Sequence, residues 1–120
     1  MLVAVSIPIF TSQLEKSREA TDAADIRDAY AVIQSAALTE DSGTELAKNN
    51  NKNVTYTSTG TSGTDLVYKA EVTLTQKQDQ WQTGDQNIGG IELKANTAVA
   101  GGTATVTYTQ STGATTITIA

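Results

Sequence analysis

The sequence predicts an α+β fold in which one long N-terminal α-helix packs on a four-stranded antiparallel β-sheet. Three observations carry that expectation. Residues 1–39 are rich in Ala, Leu, Ile and charged side chains and contain no glycine. From residue 66 onward the chain is threonine-rich and alternates apolar with polar residues, as half-buried strands do. Between them, residues 40–65 carry Gly43, the run Asn49-Asn50-Asn51, Gly60 and Gly63, and read as a polar connector.

The helix is expected to have two different surfaces. On a helical wheel Ile26, Tyr30, Ile33 and Ala37 fall within about 60° of one another, flanked by Ala23 and Ala29. That narrow seam is the natural contact for a sheet. Ile7, Phe10 and Leu14 lie on another azimuth, roughly 100–160° away. The chain also starts on an uncharged run, Leu2-Val3-Ala4-Val5-Ser6-Ile7-Pro8-Ile9-Phe10, with no partner for it elsewhere in the sequence. Pro8 lacks a backbone N–H and crowds the preceding turn, so a kink or a break is expected near residues 4–8. Residues 1–22 are therefore expected to project, by roughly 30 Å over the first twenty. Residues 23–120 then form the head, from the helix half 23–39, the connector 40–65 and the sheet 66–120.

Each strand shows one-sided alternation. Leu66, Tyr68, Ala70, Val72 and Leu74 share a face, opposite Lys69, Glu71 and Thr73. Ile91 and Leu93 alternate with Glu92 and Lys94, Ala104, Val106 and Tyr108 with threonines, and Ile117 and Ile119 with Thr116 and Thr118. Ser111-Thr112-Gly113 reads as a hairpin connection. Val54-Thr55-Tyr56-Thr57 is a weaker fifth candidate. A helix followed by a sheet with one wet face is best buried by laying the apolar face on the Ile26/Tyr30/Ile33/Ala37 seam.

Composition narrows the chemistry. The chain has neither Cys nor His, which removes thiol nucleophiles, His bases, and Cys- or His-ligated zinc. No catalytic residue or cofactor site is expected, and the protein is read as a non-enzyme. Thirteen acidic residues face eight scattered basic ones, for a net charge of −5, so no direct nucleic-acid contact is expected. Asp22, Asp25 and Asp28 recur at i+3 and read as solvated carboxylates interleaved with Arg18 and Arg27. In the loop from Asp79 to Asn87, Asp79, Asp85 and Asn87 offer oxygens to calcium. Their spacing does not fit an EF-hand, so no metal site is expected, and Trp81 reads as tucked against the sheet edge. An exposed Trp81 would instead serve adhesion or a subunit contact.

The stretch Leu2–Phe10, followed by Thr11-Ser12-Gln13-Leu14-Glu15-Lys16-Ser17-Arg18-Glu19-Ala20-Thr21-Asp22, resembles the first helix of type IV pilins. It is most similar to the disulfide-free Gram-positive ones, and the likeness covers residues 2–30. The resemblance implies a pilin-like roll and a major pilin that polymerises through its N-terminal helix into a surface pilus for motility and adhesion. It implies a cytoplasmic-membrane anchor before assembly, and partners comprising like subunits, a prepilin peptidase, a platform and a motor. Filament assembly would then fall to Leu2, Val3, Val5, Ile7, Pro8, Ile9, Phe10 and Leu14. The likeness starts part-way into the pilin helix. The leader, the cleavage site, the N-methylated first residue and the acidic residue near the mature start would lie upstream of Met1. A pseudopilin of a secretion or DNA-uptake system is the alternative, and a membrane-anchored monomeric surface binding domain the third reading.

Overall fold

A computed structural model describes residues 2–40, 42–61, 63–81 and 84–120, with side chains described from Gln13 onward. The order of elements is α1 (Leu2–Thr39), α2 (Gly43–Ala47), β1 (Val54–Thr59), β2 (Val67–Thr73), β3 (Gln86–Ile88), β4 (Ile91–Leu93), a 3-10 turn at Ala95–Thr97, β5 (Thr103–Thr109) and β6 (Ala114–Ile119). The α+β class and a long helix on a four-stranded antiparallel sheet are as the sequence predicts.

The helix spans 38 residues without interruption, about 57 Å at 1.5 Å per residue. It therefore sets the long dimension of the molecule, whose extents are 64 × 26 × 19 Å. Its backbone stays helical through Pro8, so the expected break near residues 4–8 does not occur. A proline forfeits its own backbone bond at a cost of about 3 kcal/mol, which a helix this long can absorb locally. The side chains of Leu2, Val3, Val5, Ile7, Pro8, Ile9 and Phe10 lie outside those described.

The main sheet has the order β1-β2-β5-β6, all antiparallel. Two assignments differ from the sequence reading. The weaker candidate at 54–57 is a full member, pairing Val54 with Val72 and Thr59 with Val67. Ile91–Leu93 instead pairs with Gln86–Ile88 in a separate two-stranded ribbon, turned at Gly89-Gly90. Three residues of alternation show that a strand exists, but not which partner it takes. The 40–65 segment is thus more than a connector, since it holds α2 and β1. Ser42 caps α2 by accepting from the Glu45 N–H at 3.1 Å, and Leu46 is fully buried. The β5–β6 turn at residues 110–113 falls where expected, with Gly113 at φ 70° supplying the left-handed residue such turns need.

The sheet buries Val54, Tyr56, Tyr68, Ala70, Val72, Ala104, Val106 and Ile117 in one core with α1, which lies over β2 and β5, while α2 packs on β1. The core uses few large rings, as the 5% aromatic content requires. On the helix the seam is rotated slightly from the expected one. Ile26, Ala29, Ile33 and Ala36 are fully buried, whereas Tyr30 and Ala37 are half-buried at its margin. The alanines let the sheet approach closely along a line displaced from the bulkier residues. Tyr30 has a separate duty, donating its hydroxyl to the Gly89 carbonyl at 3.3 Å. Gly89 sits at φ 59°, and a Cβ there would come within 2.2 Å of the Tyr30 ring, so only glycine fits the ribbon turn.

Candidate functional site

The buried stripe of α1 does not stop at Ala23. It continues N-terminally through Asp22, Glu19 and Glu15, all at most 2% exposed. Together with Ile26, Ala29, Ile33 and Ala36 these residues recur at alternating spacings of four and three, which is one face of a helix. Where the stripe passes the end of β2, its side chains change from apolar to acidic because the opposing surface changes. There it faces the backbone of the loop after β2 rather than the side chains of the sheet.

That loop presents four consecutive N–H groups to the helix. Asp22 Oδ1 accepts from the Thr75 N–H at 2.8 Å and the Thr75 hydroxyl at 2.7 Å. Its Oδ2 accepts from the Gln76 N–H at 2.9 Å. Glu15 takes the next two, Lys77 N–H at 3.0 Å on Oε1 and Gln78 N–H at 3.0 Å on Oε2. Arg18 lies 3.4 Å from Glu15 Oε1. From the other side the buried Gln76 amide donates to the carbonyls of Gln78 and Gln80, at 2.9 and 3.2 Å. Hydrogen bonds to an ionised acceptor are roughly twice as strong as neutral ones, so the two carboxylates clamp the loop to the helix.

The clamp corrects two expectations. Asp22 is fully buried and not solvated, although Asp28 is exposed and Asp25 partly so. Arg18 pairs with Glu15 and Arg27 reaches Gln86 Oε1 at 3.4 Å. Among the described residues neither arginine forms an ion pair with Asp22, Asp25 or Asp28. The helix also meets the head from Glu15, N-terminally of the expected boundary at residue 22. Leu14, the one assembly residue with a described side chain, is 40% exposed and lies immediately before the clamp. The apolar run at residues 2–10 is thus joined to the head by a helix that is already fixed in direction at Glu15.

Asp25 shows what an acid on this helix experiences without such donors. Its Oδ2 is buried with no hydrogen-bond partner among the described residues. Burial pushes its pKa up, and the neighbouring Asp22 and Asp28 charges add to this against a hydrogen bond from Asn53. The same two aspartates, Asp28 and Asp25, join burial in raising the Tyr56 phenol.

Among the described residues of the Asp79–Asn87 loop, the three candidate oxygen ligands are bonded to separate backbone amides. Asp79 accepts from the Ala100 N–H at 2.8 Å, Asp85 from Ala95 N–H at 2.7 Å and Asn87 from Gly90 N–H at 3.2 Å. Each thus holds a different backbone amide: Asp79 and Asp85 tie the loop to the segment around Ala95–Ala100, and Asn87 closes the Gly89-Gly90 turn. Among the described residues no cluster of three or more acidic side chains is arranged to hold a metal ion. Trp81 is 3% exposed and packs in the core, so the reading of an exposed adhesive tryptophan does not hold.

No helix among the described residues is long and apolar enough to cross a membrane. Comparison with protein-family models, curated proteins and solved structures finds no match to this chain.

Sequence reasoning found the apolar seam and missed the clamp. Extending the four-three spacing backward from Ile26 reaches Asp22, Glu19 and Glu15, a signal hidden by treating acidic residues as solvent-facing by default.

Proposed function

We propose that the protein is a filament subunit of the type IV pilin kind, a structural and interaction protein and not an enzyme. Its N-terminal helix would join neighbouring subunits, and the membrane before assembly, while the α+β head faces outward. The observation that carries the reading is the continuity of α1, a single helix that holds the head through its acidic and apolar stripe and runs on to Leu2. A surface-localised filament needs a rigid joint between the part that packs with neighbours and the part that meets solvent. The Glu15/Asp22 clamp supplies one. A helix carrying the run Leu2–Phe10 belongs in lipid or among like helices, and repetition of a head-to-tail contact without closure builds a filament. Twitching motility and adhesion would follow from such a pilus, and its processing peptidase, platform and motor would be other proteins.

Leu14→Asp tests this directly. The side chain is already part-exposed, so thermal stability should change by less than about 0.5 kcal/mol. Incorporation into filaments on cells should be lost. A Leu14→Asp protein that assembles normally, or that unfolds along with losing assembly, would count against the reading.

A further inference from the structure

The two outer edges of the main sheet are treated differently. In β1 the backbone groups of Val54, Tyr56 and Ser58 point away from β2, as fixed by the Thr73 N–H to Asn53 carbonyl bond and the alternation of antiparallel ladders. Most of that edge is closed. Asn50 Oδ1 accepts from the Tyr56 N–H at 2.7 Å, Asn51 Oδ1 from the Val54 N–H at 3.1 Å, and the Asn51 N–H donates to the Val54 carbonyl at 2.9 Å. A loop laid along a strand in this way is a usual means of blocking edge-to-edge pairing.

The β6 edge is not closed by hydrogen bonds in this way, although β4 runs near it. Reciprocal bonds between Thr103 and Ala120 set the ladder phase, so that Thr115, Ile117 and Ile119 direct their N–H and C=O groups away from β5. Among the described residues no protein group hydrogen-bonds to them. The strand Ala-Thr-Thr-Ile-Thr-Ile carries no charge and no proline, and no charged residue follows Lys94 anywhere in the chain. Charge, proline and a paired covering segment are devices that protect an edge, and β6 has no charge, no proline and no backbone partner on that side among the described residues.

We propose that β6 is a homodimerisation edge, on which a second copy of this chain pairs its own β6 antiparallel about a two-fold axis at Ile117. Copies with a net charge of −5 repel one another over most of their surface, and the uncharged β5–β6 hairpin, beside which the nearby Glu92 is paired with Lys94, is where they approach at low electrostatic cost. The closed β1 edge opposes head-to-tail addition of β1 onto β6, which leaves the self-complementary pairing. Its register follows from ladder phase and from keeping core faces aligned. Ile117 opposes Ile117 of the second copy, Thr115 opposes Ile119, and on the solvent face Thr116 opposes Thr118. The outward groups form about six new backbone hydrogen bonds. The two-fold axis turns the two helices in opposite directions. The contact therefore links free heads, or heads of adjacent filaments, and not successive subunits of one filament. It stands independently of the pilin reading.

The test uses the full chain in a mild non-ionic detergent that shields the N-terminal run. The protein has no cysteine of its own, and Thr116 and Thr118 are both exposed. In Thr116→Cys/Thr118→Cys the two thiols of one chain are about 7 Å apart, beyond easy disulfide reach. Mild oxidation should therefore give disulfide-linked dimers joining position 116 to position 118 of the other copy. By sedimentation, Thr116→Lys/Thr118→Lys should reduce the dimer fraction at least tenfold through like charges placed opposite each other, and Thr116→Lys/Thr118→Glu should restore it. A wild-type chain that is monomeric throughout the micromolar to millimolar range overturns the proposal. So does a Lys/Lys variant that dimerises like wild type, or a Lys/Glu variant that fails to recover. Leu14→Asp should leave this dimer intact, which separates its failure from failure of the filament reading.

Discussion

Along one face of α1, the stretch from Glu15 to Asp22 is held by charge and the stretch from Ile26 to Ala36 by packing. Both are buried to within a few per cent, and both follow the same helical spacing. The difference lies in what each faces. Ile26, Ala29, Ile33 and Ala36 meet the side chains of a paired sheet, whose backbone groups are already satisfied by their ladder. Glu15 and Asp22 meet a loop whose four N–H groups have no strand to pair with. Buried amides without acceptors cost about 1–3 kcal/mol each, so carboxylates are the residues that let the helix continue along that surface. Burial of an acid here is a consequence of unpaired backbone.

Substitution in the apolar half should have the largest effect. Ile33→Asp places an unpaired charge between helix and sheet where nothing can accept or donate. Its cost should be about 5 kcal/mol or more, as large as the whole stability of a domain at the lower end of the ordinary range of about 5–15 kcal/mol. Chemical denaturation should find no cooperative transition, and a folded Ile33→Asp protein would show that the packed seam is not the principal support.

In the acidic half, Asp22→Asn is more telling than Asp22→Ala. Both aspartate oxygens accept, from Thr75 on one side and Gln76 on the other, so the amide nitrogen of asparagine must meet a donor. Asp22→Asn should cost about 1–3 kcal/mol, approaching the loss for Asp22→Ala. If Asn is instead tolerated as an isostere, the clamp depends on shape rather than on acceptors. Glu15→Gln should be milder still and local. Hydrogen exchange at the Lys77 and Gln78 amides should speed up, with global stability reduced by about 1 kcal/mol or less.

The contrast also explains which parts of the fold were legible in the sequence. Ile26 and Ile33, the alternation of residues 66–74 and the threonine-rich hairpin from Ala104 to Ile119 all express burial as hydrophobicity, which periodicity reads directly. The rotation of the seam onto Ala29 and Ala36 was not legible, because alanine signals close approach only once the partner surface is known. Neither was the pairing of Ile91–Leu93 with Gln86–Ile88, nor the promotion of Val54–Thr59 to a full edge strand. Both depend on long-range partners, and β1 also depends on an asparagine turn that closes its free side. The acidic half was hidden for a deeper reason. Glu15 and Asp22 are buried to satisfy backbone groups more than fifty residues away in sequence, and local composition carries no record of that.

Asp25 gives the finest test, because it is the same residue type three positions from Asp22 without matched donors. Burial, with the Asp22 and Asp28 charges, raises its folded pKa above the ordinary 3.8. The sign follows from linkage. A carboxyl that holds its proton more tightly when folded subtracts stability once ionised. The penalty is absent below pH 3.8, grows as pH rises through the raised folded value, and is complete at neutral pH. Asp25→Asn removes it while keeping a side chain that can meet Asn53. The variant should be more stable than wild type at pH 7 by up to about 0.5 kcal/mol, since the group is partly solvent-screened. That advantage should vanish in urea titrations carried out below pH 3.8. If Asp25→Asn destabilises the protein at neutral pH, Asp25 is a second clamp residue whose charge is used. The distinction between acids with and without backbone donors would then fail at the position where the two types stand closest together.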